Sequence, residues 1–191
     1  MLEKYISIIL AIIKNPYEYF SEEMPKDNFV KESLIFAIII AAVSFLAFFV
    51  ISIPTSAMQE ISWEAKIIML VFMTISVPLN LYVSAFFVHL AIFLFAPRRS
   101  GFKQTFKVLA YSSATNVLLV VPIIGFFLAP VFNIRAFIFG LSAVHNISAL
   151  KVFMFFVIIP IILLTVLVTA LIMVLGGATF ATFMEQSALP W

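Results

Sequence analysis

Residues 152–184 read VFMFFVIIPIILLTVLVTALIMVLGGATFATFM and contain no Asp, Glu, Lys or Arg. A helix needs about 20 apolar residues to cross the roughly 30 Å hydrocarbon core of a bilayer, so this stretch is long enough to cross once. The rest of the chain has the same character, because 64% of its 191 residues are hydrophobic and 10% are charged. In soluble domains roughly 45–50% of the residues are apolar and 25% are charged. The sequence therefore predicts an integral membrane protein.

Four further runs without charged residues precede this one, at 34–59, 67–97, 108–134 and 136–150. Together the five runs predict an all-α, polytopic membrane helix bundle with five transmembrane helices. The expected domains are an N-terminal segment 1–33, a membrane domain 34–184 and a tail 185–191. The expected spans are approximately 34–53, 67–96, 106–124, 134–151 and 152–175.

The fourth run has only 15 residues, which reach about 22 Å as a helix. It crosses the membrane if Arg135 and Lys151 extend outward from its two ends. Alternatively, it pairs with the third run as a re-entrant hairpin. Both versions return the chain to the same side.

The distribution of Lys and Arg predicts the orientation, because cationic residues in short loops stay on the cytoplasmic side. Four of them follow the second span without an acidic residue, and nine in all fall on that side, against Lys66 and Arg135 on the other. We therefore expect a cytoplasmic N-terminus and a C-terminus on the opposite side. The four cations after the second span are also expected to contact anionic lipid: Arg98, Arg99, Lys103 and Lys107.

The first residues are typical of an amphipathic helix that lies in the membrane interface. At 100° per residue, apolar side chains from Leu2 to Ile13 fill one side of a helix, and charged and polar ones fill the other. Asn15, Pro16 and Glu18 then form a capping pattern, which predicts a second short helix from Pro16 to about Glu22.

Polar residues in the proposed spans are candidates for function, since they are costly in hydrocarbon unless partnered. Most of them fall toward the cytoplasmic ends of spans two, three and four, where they predict a polar patch. One interpretation is hydrogen bonding that fixes helix packing; the other is a hydrated cavity that binds a polar ligand or head group. The candidate residues are His89, Ser112, Ser113, Thr115, Asn116, His145, Asn146 and Ser148.

The second span has polar residues on two faces, with Ser76, Asn80 and Ser84 on one and a set from Thr74 to His89 on the other. This pattern predicts that the helix lies inside the bundle. Near the C-terminus, Gly177 and Ala181 have the small-xxx-small spacing that lets helices approach closely. They are a candidate seam for a homo-oligomer or for contact within one chain.

Several classes of function are excluded or disfavoured. A net charge of +2 does not suit a nucleic-acid binder, and a chain without cysteine has no disulfide, thiolate nucleophile or Cys-ligated metal. Two histidines far apart form a poor metal site, and no Asp or Glu lies within a proposed span. We therefore expect no enzyme activity, no catalytic residue, no metal and no cofactor.

The order of motifs resembles the Yip domain family, the Ypt/Rab-interacting integral membrane proteins. The resemblance covers roughly residues 5–172. It includes the entry stretch 12–20 (IIKNPYEYF) and the later elements 109–112 (LAYS), 121–125 (VPIIG) and 139–141 (FGL), followed by His145, Ser148, Lys151 and Pro160.

The resemblance implies five spans with a cytoplasmic N-terminus, in agreement with the charge distribution. It also implies a role in vesicle traffic or membrane shape, with Rab-type GTPases as partners of eukaryotic members. This chain has no long hydrophilic N-terminal region and no Asp-Leu-Tyr-Gly-Pro-like segment, which weakens the case for a Rab-type partner. It is similar to short prokaryotic members.

We therefore expect a non-enzymatic scaffold or adaptor in a prokaryotic cell membrane, in contact with membrane lipids. The alternative is a transporter or channel that uses the polar patch for a small polar solute or a lipid head group.

Overall fold

The computed structural model describes residues 2–25, 30–52, 61–96, 100–121, 123–171 and 173, and within them it contains helices and no strand. The chain divides into two compact units, residues 1–149 and 150–191. Arg98, Arg99, the Gly177/Ala181 pair and the tail 185–191 lie outside the described residues. The predicted all-α class is confirmed for the described chain.

The N-terminal segment has the predicted helices. Helix α1 covers Leu2–Lys14, and the short helix α2, Pro16–Glu18, continues into a π-helical turn at Tyr19–Glu23. Asn15 caps α2, because its Oδ1 accepts from the Glu18 amide at 3.5 Å and its Nδ2 donates to the Glu18 carboxylate at 2.7 Å. This reciprocal pairing is the capping pattern that the sequence predicts.

Within the described residues, four helices are long and apolar enough to cross a membrane, compared with the five spans expected. Three of them correspond to the first, second and fifth expected spans: α3 at Val30–Ser52, α4 at Trp63–Phe95 and α7 at Ala149–Leu171. Helix α7 contains a π-helical stretch at Met154–Ile158. The fourth, α6, covers Ile124–His145 and begins ten residues before the expected 134.

The third expected span, 106–124, is not one α-helix. Helix α5 covers Phe102–Ser112, and a 3₁₀ helix follows at Ser113–Val120. Two hydroxyls at this junction bond to carbonyls three residues back, Ser113 to Ala110 at 2.6 Å and Thr115 to Ser112 at 3.0 Å. Side chains that bond to the local backbone compete with α-helical hydrogen bonds, which favours the tighter turn here.

The 3₁₀ helix and α6 form a hairpin. The turn passes through Ile123, whose φ is 60°, and the Gly125 amide donates to the Val121 carbonyl at 2.9 Å. A Cβ on Gly125 would overlap the Leu118 carbonyl, so glycine permits the close approach. As α6 begins at Ile124, Arg135 lies near its middle and not at its end, which corrects the predicted boundary.

Small residues let α3, α4 and α5 pack closely around a core. Ala37, Ala85, Phe106 and Ala110 are fully buried together at this contact. Elsewhere α4 faces outward, because none of its most apolar 18-residue window is buried. The prediction that this helix lies inside the bundle is therefore wrong. Its buried Ala85 and Ile92 occupy only one side.

Candidate functional site

The two histidines meet through a threonine. His89 on α4 has its Nδ1 2.9 Å from Oγ1 of Thr105, and His145 at the end of α6 has its Nε2 3.0 Å from the same oxygen. Thr105 and His145 are buried, and the two imidazole rings are 6.1 Å apart between centroids. Polar groups of α4, α5 and α6 therefore meet at Thr105, a residue that the sequence analysis did not select.

The hydrogen bonds give this chain of groups a direction. The Ser100 amide donates to Nδ1 of His145 at 3.1 Å, so that nitrogen carries no proton. In a neutral ring the proton is then on Nε2, which donates to Thr105. The Thr105 oxygen can accept this bond and donate its own proton to Nδ1 of His89. One threonine hydroxyl therefore links the two rings.

The turn after α6 positions His145. Asn146 adopts the left-handed conformation with φ 52°, which ends the helix. The Ser142 hydroxyl donates to the Ile147 carbonyl at 2.6 Å, and the Ile147 amide donates back to the Ser142 carbonyl at 3.2 Å. The Ser100 hydroxyl donates to the Val144 carbonyl at 2.6 Å. These bonds satisfy helix-end carbonyls and hold the ring against Thr105.

A second polar group lies at the junction of α5 and the 3₁₀ helix. The Ser112 carbonyl accepts from Thr115 at 3.0 Å and from Nδ2 of Asn133 at 3.2 Å. The Ser112 hydroxyl is buried without a hydrogen-bond partner in the described structure. Asn116 is half-buried nearby. This second group therefore begins about two turns along α5 from Thr105.

A cavity of about 380 Å³ opens beside the first group. Its wall includes Ser100 and Gln104, and the Oε1 atom of Gln104 is buried without a hydrogen-bond partner among the described residues. Asn146 lines the cavity, whereas Ser148 is exposed beyond it. The N-terminal segment supplies Tyr17, Phe20, Ser21 and Met24 to the lining.

The cations expected to contact lipid differ in their placement. Lys103 is exposed, but Lys107 is only 2% exposed and its ammonium group donates to the Pro25 carbonyl at 2.7 Å. An ammonium group covered by protein does not reach a lipid surface, so the structure contradicts the predicted contact for Lys107. The reason is that this lysine fastens the end of the N-terminal segment to α5.

Arg135 fastens the other end of that segment. Its guanidinium donates to the carbonyls of Ile13 at 2.9 Å and Lys14 at 3.2 Å, at the C-terminus of α1. A cation at a helix C-terminus is favourable because unpaired carbonyls point toward it. The contact places Arg135 and α1 at the same level. The two predictions that put them on opposite sides of the membrane are therefore incompatible.

The segment between these attachments packs against α6 through an aromatic residue. A Cβ on Gly140 would lie 2.7 Å from Cγ1 of Val108 and 2.9 Å from the Phe20 ring, so glycine makes room for that ring. Tyr19 beside it is 3% exposed, and its hydroxyl has no partner in the described structure. Burial raises the pKa of Tyr19 well above its usual range, with smaller contributions from Tyr111 and Glu23.

Four contributors were missed by the sequence analysis: Ser100, Thr105, Gln104 and Asn133. The first three lie among Arg98, Arg99, Lys103 and Lys107, where the charge pattern indicates a surface loop. Their periodicity gives no separate signal, because α5 is short and its polar residues are mixed with cations. No group of three or more His, Asp or Glu side chains in the described structure is arranged to hold a metal ion.

Comparison with protein families gives one result that covers most of the chain: the family model described as Yip1 domain matches residues 10–178. Neither the curated proteins nor the solved structures give a match. The family match confirms the resemblance that the motifs indicate.

Proposed function

The chain belongs to the Yip1 domain family, and from that premise we propose that it is a non-enzymatic integral membrane scaffold or adaptor. The observation that carries the proposal is the fixed N-terminal segment. Its amphipathic helix α1 is attached to the bundle at one end by Arg135, and the chain that follows is attached by Lys107. A helix held in this way presents the same surface to a membrane or a partner at all times.

The outward surface of α1 suits the interface between head groups and acyl chains. Ile6 and Leu10 lie one turn apart and are 47% and 61% exposed, whereas Ile12 on the packed side is 1% exposed. Lys14 is exposed beside them, whereas Lys4 projects away from this pair and is ion-paired with Glu32 at 3.3 Å. An apolar pair beside a cation inserts shallowly into an anionic lipid surface. Insertion by a rigidly held helix would order the adjacent lipid.

We also propose that the interrupted third segment crosses the membrane. Eleven α-helical and eight 3₁₀ residues extend about 33 Å at roughly 1.5 and 2.0 Å per residue, which matches the hydrocarbon core. Five crossings would place the two termini on opposite sides, with the N-terminus in the cytoplasm.

The test changes the exposed apolar pair and leaves the attachments in place. We expect the double variant Ile6→Ser, Leu10→Ser to fold normally but to lose the effect of the protein on vesicle size in anionic proteoliposomes. The matched control is Ile6→Val, Leu10→Met, which keeps an apolar surface. Electron microscopy of vesicles at a fixed ratio of protein to lipid gives the readout.

The partner role is tested on the same variants by chemical cross-linking in native membranes. Recovery of the same proteins and the same vesicle sizes from the serine variant as from the wild type would contradict the role proposed for α1. Unchanged vesicles with loss of a cross-linked partner would favour the adaptor over the lipid-ordering scaffold.

A second candidate function, binding of a polar solute or head group, is favoured by the cavity beside Gln104. A buried carbonyl oxygen without a partner is costly, and a ligand with N–H or O–H donors would satisfy it. The rings of Tyr17 and Phe20 at the same cavity suit an ammonium group.

The absence of native cysteine makes this candidate testable. Cysteine at Ala143, which lines the cavity, should react with a small polar thiol reagent if water enters, and glycerophosphoethanolamine should slow the reaction. Cysteine at exposed Ser148 is the control for general reactivity. Protection of Ala143→Cys without any ligand would indicate a dry cavity and remove this candidate.

A further inference from the structure

Helix α4 has an amide group on its outer surface. Asn80 is exposed, and its Oδ1 accepts from the Ser84 hydroxyl at 3.1 Å. Within the described residues its Nδ2 donates no hydrogen bond. Its two N–H donors therefore have no acceptor among these residues. Water would hydrogen-bond to these donors, so the cost of leaving them unpaired depends on the depth of Asn80 in the membrane.

Asn80 lies in hydrocarbon for every placement of α4 across the bilayer. The run without charged residues, 67–97, is longer than the roughly 20 residues that cross the core. Every 20-residue window within this run contains residues 78–86, and Asn80 is among them. An unpartnered amide at that depth costs several kcal/mol per unsatisfied group in a purely apolar reference. An acceptor from outside the described residues would remove this cost.

We propose that the acceptor is Asn80 of a second copy of this chain. A primary amide is self-complementary, because each group donates through Nδ2 and accepts through Oδ1. Two copies inserted in the same orientation are related by a two-fold axis along the membrane normal, which brings the same residue of each copy together. The Ser84 hydroxyl occupies one lone pair of Oδ1 and leaves the other for the partner.

The surroundings of Asn80 fit such a seam. In a left-handed crossing, residues seven apart stay at the contact, which places Phe87 on the seam one heptad after Asn80. Phe87 is 62% exposed, so it is open to a second helix. Phe86 is 57% exposed and at the same depth, but it projects about 100° away around the helix. This neighbouring pair provides a matched comparison. The inference rests on α4 alone and does not depend on the proposed function.

The experiment uses single-cysteine variants of the full chain in proteoliposomes, oxidised with copper phenanthroline. We expect Phe87→Cys to form a disulfide-linked dimer and Phe86→Cys to stay monomeric. Cross-linking of both variants to the same extent, or of neither, would overturn the proposal. A Phe87→Cys cross-link to a different protein in native membranes, with none between copies in proteoliposomes, would also overturn it by assigning the face to that protein.

A second measurement tests the amide itself. Glu3→Cys carries donor or acceptor dyes, and energy transfer on dilution with lipid reports association. We expect Asn80→Leu to weaken association about 3-fold to 30-fold, the range for one interhelical polar pair, and Asn80→Gln to retain it. Ser84→Ala should have little effect. Equal association of the Asn80→Leu variant and the wild type would exclude an amide seam. Asn80 is exposed, and circular dichroism of each variant checks that its fold is unchanged.

Discussion

Helices α4 and α6 have nearly the same mean hydropathy, 2.0 and 1.8 in their most apolar windows, but different surroundings. One third of the α6 window is buried within the protein, and none of the α4 window is. Helix α6 contacts the 3₁₀ helix, α5 and the N-terminal segment, and its Ala136, Gly140 and Leu141 are buried. The difference teaches that hydropathy predicts which segments enter the membrane, while small residues determine which of them are surrounded by protein.

The largest effect is expected where α6 begins. Gly125→Ala places a methyl group onto the Leu118 carbonyl, and backbone cannot rotate away as a side chain can. We expect a loss of about 3 kcal/mol or more in unfolding free energy, or failure to assemble the hairpin. SDS-induced unfolding in mixed micelles, followed by circular dichroism, gives the measurement.

Gly101→Ala is the control for this prediction, because a Cβ on Gly101 meets no atom within 4 Å. Both variants replace glycine with alanine. The difference between their unfolding free energies should therefore be most of the loss expected for Gly125→Ala. If Gly125→Ala unfolded at the wild-type SDS fraction, the close hairpin between the 3₁₀ helix and α6 would be wrong.

The comparison of α6 with α4 is tested directly by removing the same side chain from each. Leu141 on α6 is fully buried and Leu79 on α4 is 69% exposed. Leu141→Ala leaves a cavity and should cost about 2–4 kcal/mol. Leu79→Ala exchanges one lipid contact for another and should change stability by less than about 0.5 kcal/mol. Equal losses at both positions would mean that α4 is covered as fully as α6.

A somewhat smaller loss of stability is expected when the link between α4 and α6 is removed. Thr105→Val keeps the shape of the side chain but removes the hydroxyl that joins His89 to His145. Two ring nitrogens lose a partner, so we expect a loss of about 2 kcal/mol. Thr74→Val on α4 is the control, as its hydroxyl bonds to the Leu70 carbonyl of its own helix. A Thr105 variant as stable as the Thr74 variant would show that the histidine chain contributes nothing to packing.

The sequence was most informative where local chemistry determines structure. The cap at Asn15, the amphipathic helix α1 and three of the long helices follow from residue types and spacing. The start of α6 does not, because the turn at Ile123 depends on contact between Gly125 and Leu118. The position of Arg135 illustrates the same limit. A cation in an apolar sequence indicates the end of a span. Here Arg135 lies in the middle of α6, and its guanidinium donates to the carbonyls of Ile13 and Lys14.

The candidate site divides in the same way. His89 and His145 could be selected because histidine is rare and costly in a span. Their connection through Thr105 could not, since it depends on how three segments pack. Lys107 was misassigned for a related reason, because its sequence context indicates a surface while its partner, Pro25, is distant in the chain.

The smallest effect is expected at Tyr19, on the segment that covers α6. Its buried hydroxyl has no partner in the described structure, so Tyr19→Phe should change stability at neutral pH by less than about 1 kcal/mol, in the stabilising direction. At alkaline pH the two proteins are expected to differ in stability. Burial raises the folded-state pKa of Tyr19 above the unfolded value of about 10, so its neutral form favours the folded state below that pH and the advantage is lost as the pH rises above it.

Tyr19→Phe should therefore lose less stability than the wild type between about pH 10 and pH 11, by at most about 1.4 kcal/mol over that unit. Tyr17→Phe is the matched control, because Tyr17 is 50% exposed on the same segment and removing its hydroxyl should leave the alkaline loss unchanged. SDS unfolding at both pH values compares the three proteins. An identical loss of stability at alkaline pH in all three proteins would mean that the hydroxyl of Tyr19 reaches water. The N-terminal segment would then cover α6 less closely than the contact between Phe20 and Gly140 requires.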